Sequence, residues 1–271
     1  MKLQDKLLEC QQNRKALLAC NFYNFETLKS IMLAAQASKK PVILQLTKSS
    51  IDYLGLPIAV KMARSALDLY GVQAWIHLDH SHSINLIKRV LDAGFDSVMI
   101  DASEKTFGEN IKITQEVVKI AESYEANVEA ELGFIAKLGQ DQSGGLTNSE
   151  EAKIFVEDTG VNALAVAIGT AHGFYKKPPQ IDMQRLSEIK EATQAFLVLH
   201  GSSGIPHIQL SEAVSRGICK INLATEIKNN FIKSLSSRLL NNNEIDLRKV
   251  FPHATNSTAS LIEDKLNCIN S

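Results

Sequence analysis

Three histidines in this sequence are placed where an ion could be gripped. His80 closes His77-Leu78-Asp79-His80, His172 sits in Gly169-Thr170-Ala171-His172-Gly173, and His200 opens His200-Gly201-Ser202-Ser203-Gly204. Each lies at the end of a short apolar run. Neutral imidazole suits zinc, and three protein ligands with an open fourth position are the arrangement of a catalytic ion. A histidine at the end of such a run is more commonly a packed or hydrogen-bonding residue. His207 and His253 are given that reading, and His82 is placed on a loop at the periphery. For the other three it weakens, because two of them are followed directly by glycine, which lets a backbone approach a ligand closely.

Carboxylates accompany them. Asp79 precedes His80, Asp101 ends Met99-Ile100-Asp101, and Glu129 and Glu131 share parity in Glu129-Ala130-Glu131-Leu132. On a strand that parity puts both glutamates on one face, with Val128, Ala130 and Leu132 on the other. Unpaired charges buried there cost several kcal/mol, on the order known for buried ions. Glu129 and Glu131 are therefore expected either in an ion pair, with Lys220 as the partner, or in support of a metal histidine or a second metal position. The second reading is preferred for Glu131. Gly201-Ser202-Ser203-Gly204 and Asn222-Leu223-Ala224-Thr225 supply the hydroxyls and backbone N–H groups that receive an anion.

These residues need a scaffold that brings distant segments together. Apolar, β-branched runs at 16–22, 41–47, 74–79, 96–101, 127–132, 163–168, 196–200 and 218–222 read as strands. Amphipathic stretches at 26–38, 57–70, 84–93, 108–124, 149–159, 183–193, 207–215 and 226–240 read as helices, with a final helix near 257–267. Eight such units predict a (β/α)8 TIM barrel forming one domain over 1–271, rather than an open sheet, whose glycine fingerprint Ala19-Cys20-Asn21-Phe22 lacks. In a barrel the singled-out polar residues all fall at strand C-termini, on one rim. The two Ser/Gly and Asn-Thr loops follow strands seven and eight, the usual phosphate corner. Residues 133–148 form the longest irregular stretch and are expected to act as a lid.

Composition narrows the function. The 271 residues carry a net charge of -1 and are 45% apolar and 22% charged, so no footprint for nucleic acid appears. The charged start Met1-Lys2-Leu3-Gln4-Asp5-Lys6 does not resemble a signal peptide, and no apolar run is long enough to span a membrane. Four scattered cysteines read as reduced thiols, and the expected location is cytoplasmic.

In its ordered blocks the sequence resembles the class II fructose/tagatose-bisphosphate aldolases, most closely the tagatose-1,6-bisphosphate group. The blocks are His77 to His80, Ser97 to Ser103, Val128 to Gly133, Ala165 to Gly173, Leu197 to Gly204 and Lys220 to Glu226. The resemblance implies an aldehyde-lyase that reversibly cleaves tagatose-1,6-bisphosphate or fructose-1,6-bisphosphate to dihydroxyacetone phosphate and glyceraldehyde 3-phosphate. It implies zinc on His80, His172 and His200, with Asp101 and Glu131 at a second metal position, and Asp79 as proton donor and acceptor. Asn21, Thr47, Gly173, Gly201, Ser202, Ser203, Asn222, Leu223, Ala224 and Thr225 would hold substrate, with a monovalent cation (Na+ or K+) near the phosphate. A homodimer or homotetramer is expected on the same ground. The lid departs from the family: its double glycine appears as Ala136-Lys137 and its glutamate position falls near Gly139, leaving Asp141 as the nearest catalytic carboxylate. Around Thr47 the loop reads Lys48-Ser49-Ser50 instead of glycine-rich sequence. The competing readings are a non-catalytic relative that keeps zinc and sugar phosphate as a partner subunit, and an aldolase for another phosphorylated ketose. A metal-dependent hydrolase on this fold would carry an HxH pair on its first strand, and Asn21-Phe22-Tyr23 offers none.

Overall fold

A computed structural model describes residues 1–133, 135, 145–175, 179–240 and 243–270. Among them eight parallel strands close into a barrel in sequence order: β1 (Leu17–Asn21), β2 (Val42–Thr47), β3 (Ala74–Ser81), β4 (Ser97–Ile100), β5 (Asn127–Leu132), β6 (Ala163–Val166), β7 (Phe196–Leu199) and β8 (Ile218–Leu223). β8 returns to pair with β1, Lys220 opposite Leu17 and Asn222 opposite Ala19. The connecting helices are α2 (Phe25–Ser38), α3 (Lys48–Leu54), α4 (Leu56–Tyr70), α5 (Ile84–Asp92), α6 (Phe107–Glu122), α7 (Ser149–Thr159), α8 (Met183–Ala192), α9 (His207–Ser215) and α10 (Thr225–Leu240). Side chains that caps require are in place: Asn24, Thr106 and Asn148 each accept backbone N–H groups from the first turn of the helix they precede. Gly71 and Gly160 end α4 and α7 in the left-handed conformation that a C-cap needs.

The (β/α)8 TIM barrel expected from the alternation is the observed fold. Three stretches differ from the sequence reading. The charged first residues form α1 (Leu3–Gln12), whose Leu3, Leu7 and Cys10 pack with the inward-facing Leu17, Ala19, Ile43, Trp75 and Cys219. The amphipathic helix thus plugs the barrel's N-terminal mouth. Leu7 is fully buried, which stabilises by about 1.5–3 kcal/mol relative to exposure. Lys48-Ser49-Ser50 is not a loop but the start of α3, capped by the Thr47 side chain, which accepts from Ser50 N. The last helix, α11 (Leu247–Cys268), is longer than expected and runs through Pro252. The proline sits in its second turn, close to an N-terminus already anchored by the Asp246 cap.

Two apolar layers bracket the site. The larger lies between strands and helices. Inside the barrel Met99, Ala163, Ala165 and Val198 pack above the α1 plug. Higher still, toward the strand C-termini, the inward positions turn polar. No helix of the described residues is long and apolar enough to cross a membrane.

Candidate active site

Asp79 and His80 are neighbours on β3, and regular pleating would send them to opposite faces. The register of β3 against β4 shifts between Leu78 and Ser81, and His80 takes a φ of 44°, in the left-handed region. The strand's irregularity turns both side chains toward one cavity. A non-glycine residue held there costs on the order of 1–3 kcal/mol, and such strain concentrates at functional sites. Asp79 is buried and accepts from Asn21 Nδ2 at 2.8 Å and Asn222 Nδ2 at 3.3 Å. Gln45 in turn donates to Asn21 Oδ1 at 3.0 Å, which fixes the amide's orientation. Burial alone would raise the Asp79 pKa. His80, His200 and the Asn21 hydrogen bond outweigh it and hold the carboxyl below its ordinary value.

His80, His172 and His200 converge as the sequence suggested, with one ring nitrogen of each within 4.8 Å of the others. Ring centroids are 5.1 Å apart for His80–His172, 4.8 Å for His80–His200 and 5.7 Å for His172–His200. The outer nitrogens of two of them are tied to carboxylates: His80 Nδ1 lies 2.9 Å from Asp101 Oδ2, and His200 Nε2 lies 2.8 Å from Glu129 Oε1. Ionised carboxylates only accept, so those nitrogens carry the protons. The inner nitrogens, His80 Nε2 and His200 Nδ1, then face each other at 3.0 Å with lone pairs. Two facing lone pairs repel unless a cation or a proton sits between them. The site's charges say the same. Burial lowers the His80 pKa, but the Asp101 hydrogen bond and the charges of Asp79, Glu131 and Asp101 carry it up to about 9. His200 goes the other way: burial, then the neighbouring His80 charge, keeps its pKa well below the ordinary value, so it stays neutral with a lone pair to offer.

Asp101 and Glu131 flank this point. With His80 they form a second group whose ligand atoms lie within 4.8 Å of one another. Asp101 Oδ1 accepts from Ser103 N and Oγ. Glu131 Oε2 is buried without a hydrogen-bond partner, 3.9 Å from His200 Nδ1. Burial, then the neighbouring Asp101 charge, pushes the Glu131 pKa to about 8. A buried acceptor with no donor fits a divalent cation better than it fits an empty core. The donor set therefore suits a zinc-type ion: three imidazoles, two of them oriented by carboxylates, with two further oxygens adjacent.

Glu129 satisfies both readings drawn from its parity. Its Oε1 receives His200, and its Oε2 receives Lys220 Nζ at 2.7 Å, with both side chains almost fully buried. Lys220 also donates to Asn222 Oδ1 at 2.8 Å, so one ammonium orients the glutamate behind His200 and the asparagine beside Asp79. His77 lies beneath, its Nδ1 2.8 Å from Ser97 Oγ, and burial and Lys220 keep its pKa well below the ordinary value.

The cavity above has a volume of about 730 Å³ and is lined by Asn21, Thr47, Asp79, His80, Asp101, Glu131, His172, Gly173, Gly201, Ser202, Ser203, Asn222, Ala224 and Thr225. Leu223 is the exception among the expected substrate contacts: strand alternation turns its side chain outward into the layer under the helices. Asp141 lies outside the described residues. Arg248 pairs with Asp246 on the surface at 90% exposure, away from the cavity. His82 does reach the rim, its Nδ1 2.6 Å from Asp101 O. Lys228, Tyr23, Ser49 and Glu104 also line the cavity and were not singled out from sequence. For Lys228 the signal existed: it follows Thr225 by one helical turn, on the same face of α10. Its Nζ lies 5.4 Å from the Tyr23 ring centroid.

Two loops carrying histidines are fastened together. Tyr175 Oη accepts Ala171 N–H at 2.7 Å and donates to Gly201 O at 2.8 Å. The contact is close enough that a Cβ at Gly201 would lie 2.5 Å from Ala171 O, and Gly201 has a φ of +68°. Gly201→Ala is expected to lower stability by about 1–3 kcal/mol through strain and overpacking, and to weaken metal binding by separating the two loops. Denaturant unfolding and competitive chelation measure both; a variant equal to wild type in each would show that the approach is not required.

A family described as fructose-bisphosphate aldolase class-II matches residues 1–271. Among solved structures, the YdjI aldolase from Escherichia coli K12 aligns with a TM-score of 0.89 and 27% identity, over 100% of this chain and 97% of that one. A putative fructose-1,6-biphosphate aldolase from Coccidioides immitis gives 0.91 and 30%, over 99% and 96%. Fructose-bisphosphate aldolase from Campylobacter jejuni, at 21% identity and a TM-score of 0.83 over 99% and 95%, shares the fold.

Proposed function

The chain belongs to the class II fructose-bisphosphate aldolase family, aldehyde-lyases acting on sugar phosphates, and from that premise we infer that it performs zinc-dependent retro-aldol cleavage of a ketose bisphosphate. Tagatose-1,6-bisphosphate and fructose-1,6-bisphosphate are the proposed substrates, giving dihydroxyacetone phosphate and glyceraldehyde 3-phosphate. The observation that carries the reading is Asp79, ionised and held by two amides, beside three converging imidazoles at the strand C-termini.

His80, His172 and His200 would hold the zinc, with Asp101 and Glu131 offering a second position. Bound zinc supplies a Lewis acid for the ketose carbonyl, worth several kcal/mol in reactions that build charge on that oxygen. The chain's own residues do the rest. Asp79 takes the C4 hydroxyl proton as the aldehyde departs and returns it in the condensation direction, a task for a carboxylate in hydrogen-bond reach. Asn21 and Asn222 aim that carboxylate. Backbone N–H groups and hydroxyls of Gly173, Gly201, Ser202, Ser203, Ala224 and Thr225 receive the phosphate of the half that stays, which turns binding energy into orientation. Leu223 contributes there through its backbone. Lys228 adds a positive charge on the cavity wall. Asp141 is assigned the proton at C3, and a monovalent cation (Na+ or K+) is placed near the phosphate. The whole chain acts as one domain, in a homodimer or homotetramer in the cytoplasm. The non-catalytic reading is disfavoured by the Asp79–His80 pair, which mere binding would not need.

A coupled assay for dihydroxyacetone phosphate released from a panel of ketose bisphosphates tests this. Cleavage is expected to vanish with chelator and return with zinc. Borohydride added with substrate should leave the enzyme active, because no lysine forms a Schiff base. Cleavage that persists in chelator would overturn the zinc assignment.

A further inference from the structure

Below the cavity wall lies a buried ion pair that the chemistry above does not use. Lys265, in the last turn of α11, places Nζ 3.3 Å from Glu226 Oε1, with side chains only 9% and 11% exposed. Lysine is seldom buried without a paired charge, because desolvation is costly. The partner is the informative end. Glu226 stands in the first turn of α10, and its Oε1 accepts the backbone N–H of Gly204. The Glu226 N–H donates to Ser203 Oγ at 3.2 Å. Ser203 and Gly204 close the loop that starts at His200 and carries Gly201 and Ser202. One carboxylate therefore joins a charge on the last helix to a loop that lines the cavity. The same helix end also meets α9, the helix that follows that loop, where Ser211 donates to Cys268 O at 3.2 Å.

We propose that Lys265 is a positioning residue: by fixing the Glu226 carboxylate it holds Ser203 and Gly204, and with them the N–H and hydroxyl groups that receive the substrate phosphate. The inference rests on reading this loop as the phosphate site. Without the ammonium, the Glu226 carboxylate keeps one backbone donor but loses its counter-charge, and water or rotation can draw it away. The loop then samples positions in which its donors no longer meet one anion. The His200 imidazole is tied separately through Glu129, so the ion should be held as before.

The test compares Lys265→Met and Lys265→Arg in the zinc-loaded full chain. In Lys265→Met the KM for dihydroxyacetone phosphate in the condensation direction, and its Kd by calorimetry, are expected to rise about tenfold, equivalent to about 1.4 kcal/mol of lost phosphate binding. kcat should stay within about threefold, the pattern of lost uniform binding. Zinc content should match wild type, and Lys265→Arg should recover most of the loss. If Lys265→Met proves too unstable, Lys265→Gln keeps an N–H donor without the charge and should give a smaller rise of the same sign. A lowered melting temperature with unchanged KM and Kd would show that Lys265 only docks the helix, which overturns the proposal. Wild-type protein that fails to bind dihydroxyacetone phosphate would overturn the phosphate site, and the brace with it.

Discussion

Asp79→Asn is expected to fold, retain zinc and lose turnover by about 10²–10⁴-fold, the range associated with a positioned acid–base group. Asparagine has nearly the same shape, so the packing below the cavity is preserved. It cannot take a proton at neutral pH. Its amide also meets Asn21 and Asn222, both of which donate to the aspartate, so one N–H faces another. That mismatch costs about 1–3 kcal/mol, the penalty of an unsatisfied buried donor. Asp79→Ala brings no opposing N–H, though it takes the acceptor from both asparagines, and should lose turnover equally. The measurements are kcat, thermal unfolding and zinc content. Turnover within tenfold of wild type in both variants would remove Asp79 from the reaction.

The second large effect concerns the ion pair in the barrel's centre. Glu129→Gln leaves the Lys220 ammonium buried without its countercharge, and Lys220→Met leaves the Glu129 carboxylate likewise. Each single change is expected to destabilise by about 3–5 kcal/mol, the cost of breaking one partner from a buried pair. The double variant should recover part of that loss, because neither charge is then stranded. Metal affinity separates the two partners. Glu129→Gln also loses the carboxylate that orients His200, so affinity should fall by about 10–100-fold, as for other groups behind a metal histidine. Denaturant unfolding and competitive chelation provide both numbers. Single variants that unfold like wild type would mean the pair carries no net stability.

Much of this was legible in the sequence because strand parity is strict. Counting in twos from Glu131 puts Glu129 inside, and counting back from Asn222 puts Lys220 there too. The observed pairing of the two follows. The eight strands and the eight helices read from the sequence were placed to within two residues at each end, because glycines and side-chain caps punctuate them, while α3 was missed. The same parity rule would have sent His80 out of the barrel. Its inward turn depends on a register shift and a left-handed backbone that no residue type at that position announces. The α1 plug was legible in principle from Leu3, Leu7 and Cys10 at helical spacing, but its charged residues masked the stripe. Leu223 shows the opposite limit: a motif match carries a residue along with its neighbours, although alternation puts only Asn222 inside. Lys265 had no signal, since its partner lies many residues away and the connection exists only once the barrel has closed.

The Tyr175 hydroxyl has a thermodynamic consequence. Because it receives from one histidine-bearing loop and gives to the next, the backbones beside His172 and His200 are joined whether or not an ion is bound. The entropy of ordering these loops is lost when the chain folds, not when an ion arrives, so more of the coordination energy appears as affinity.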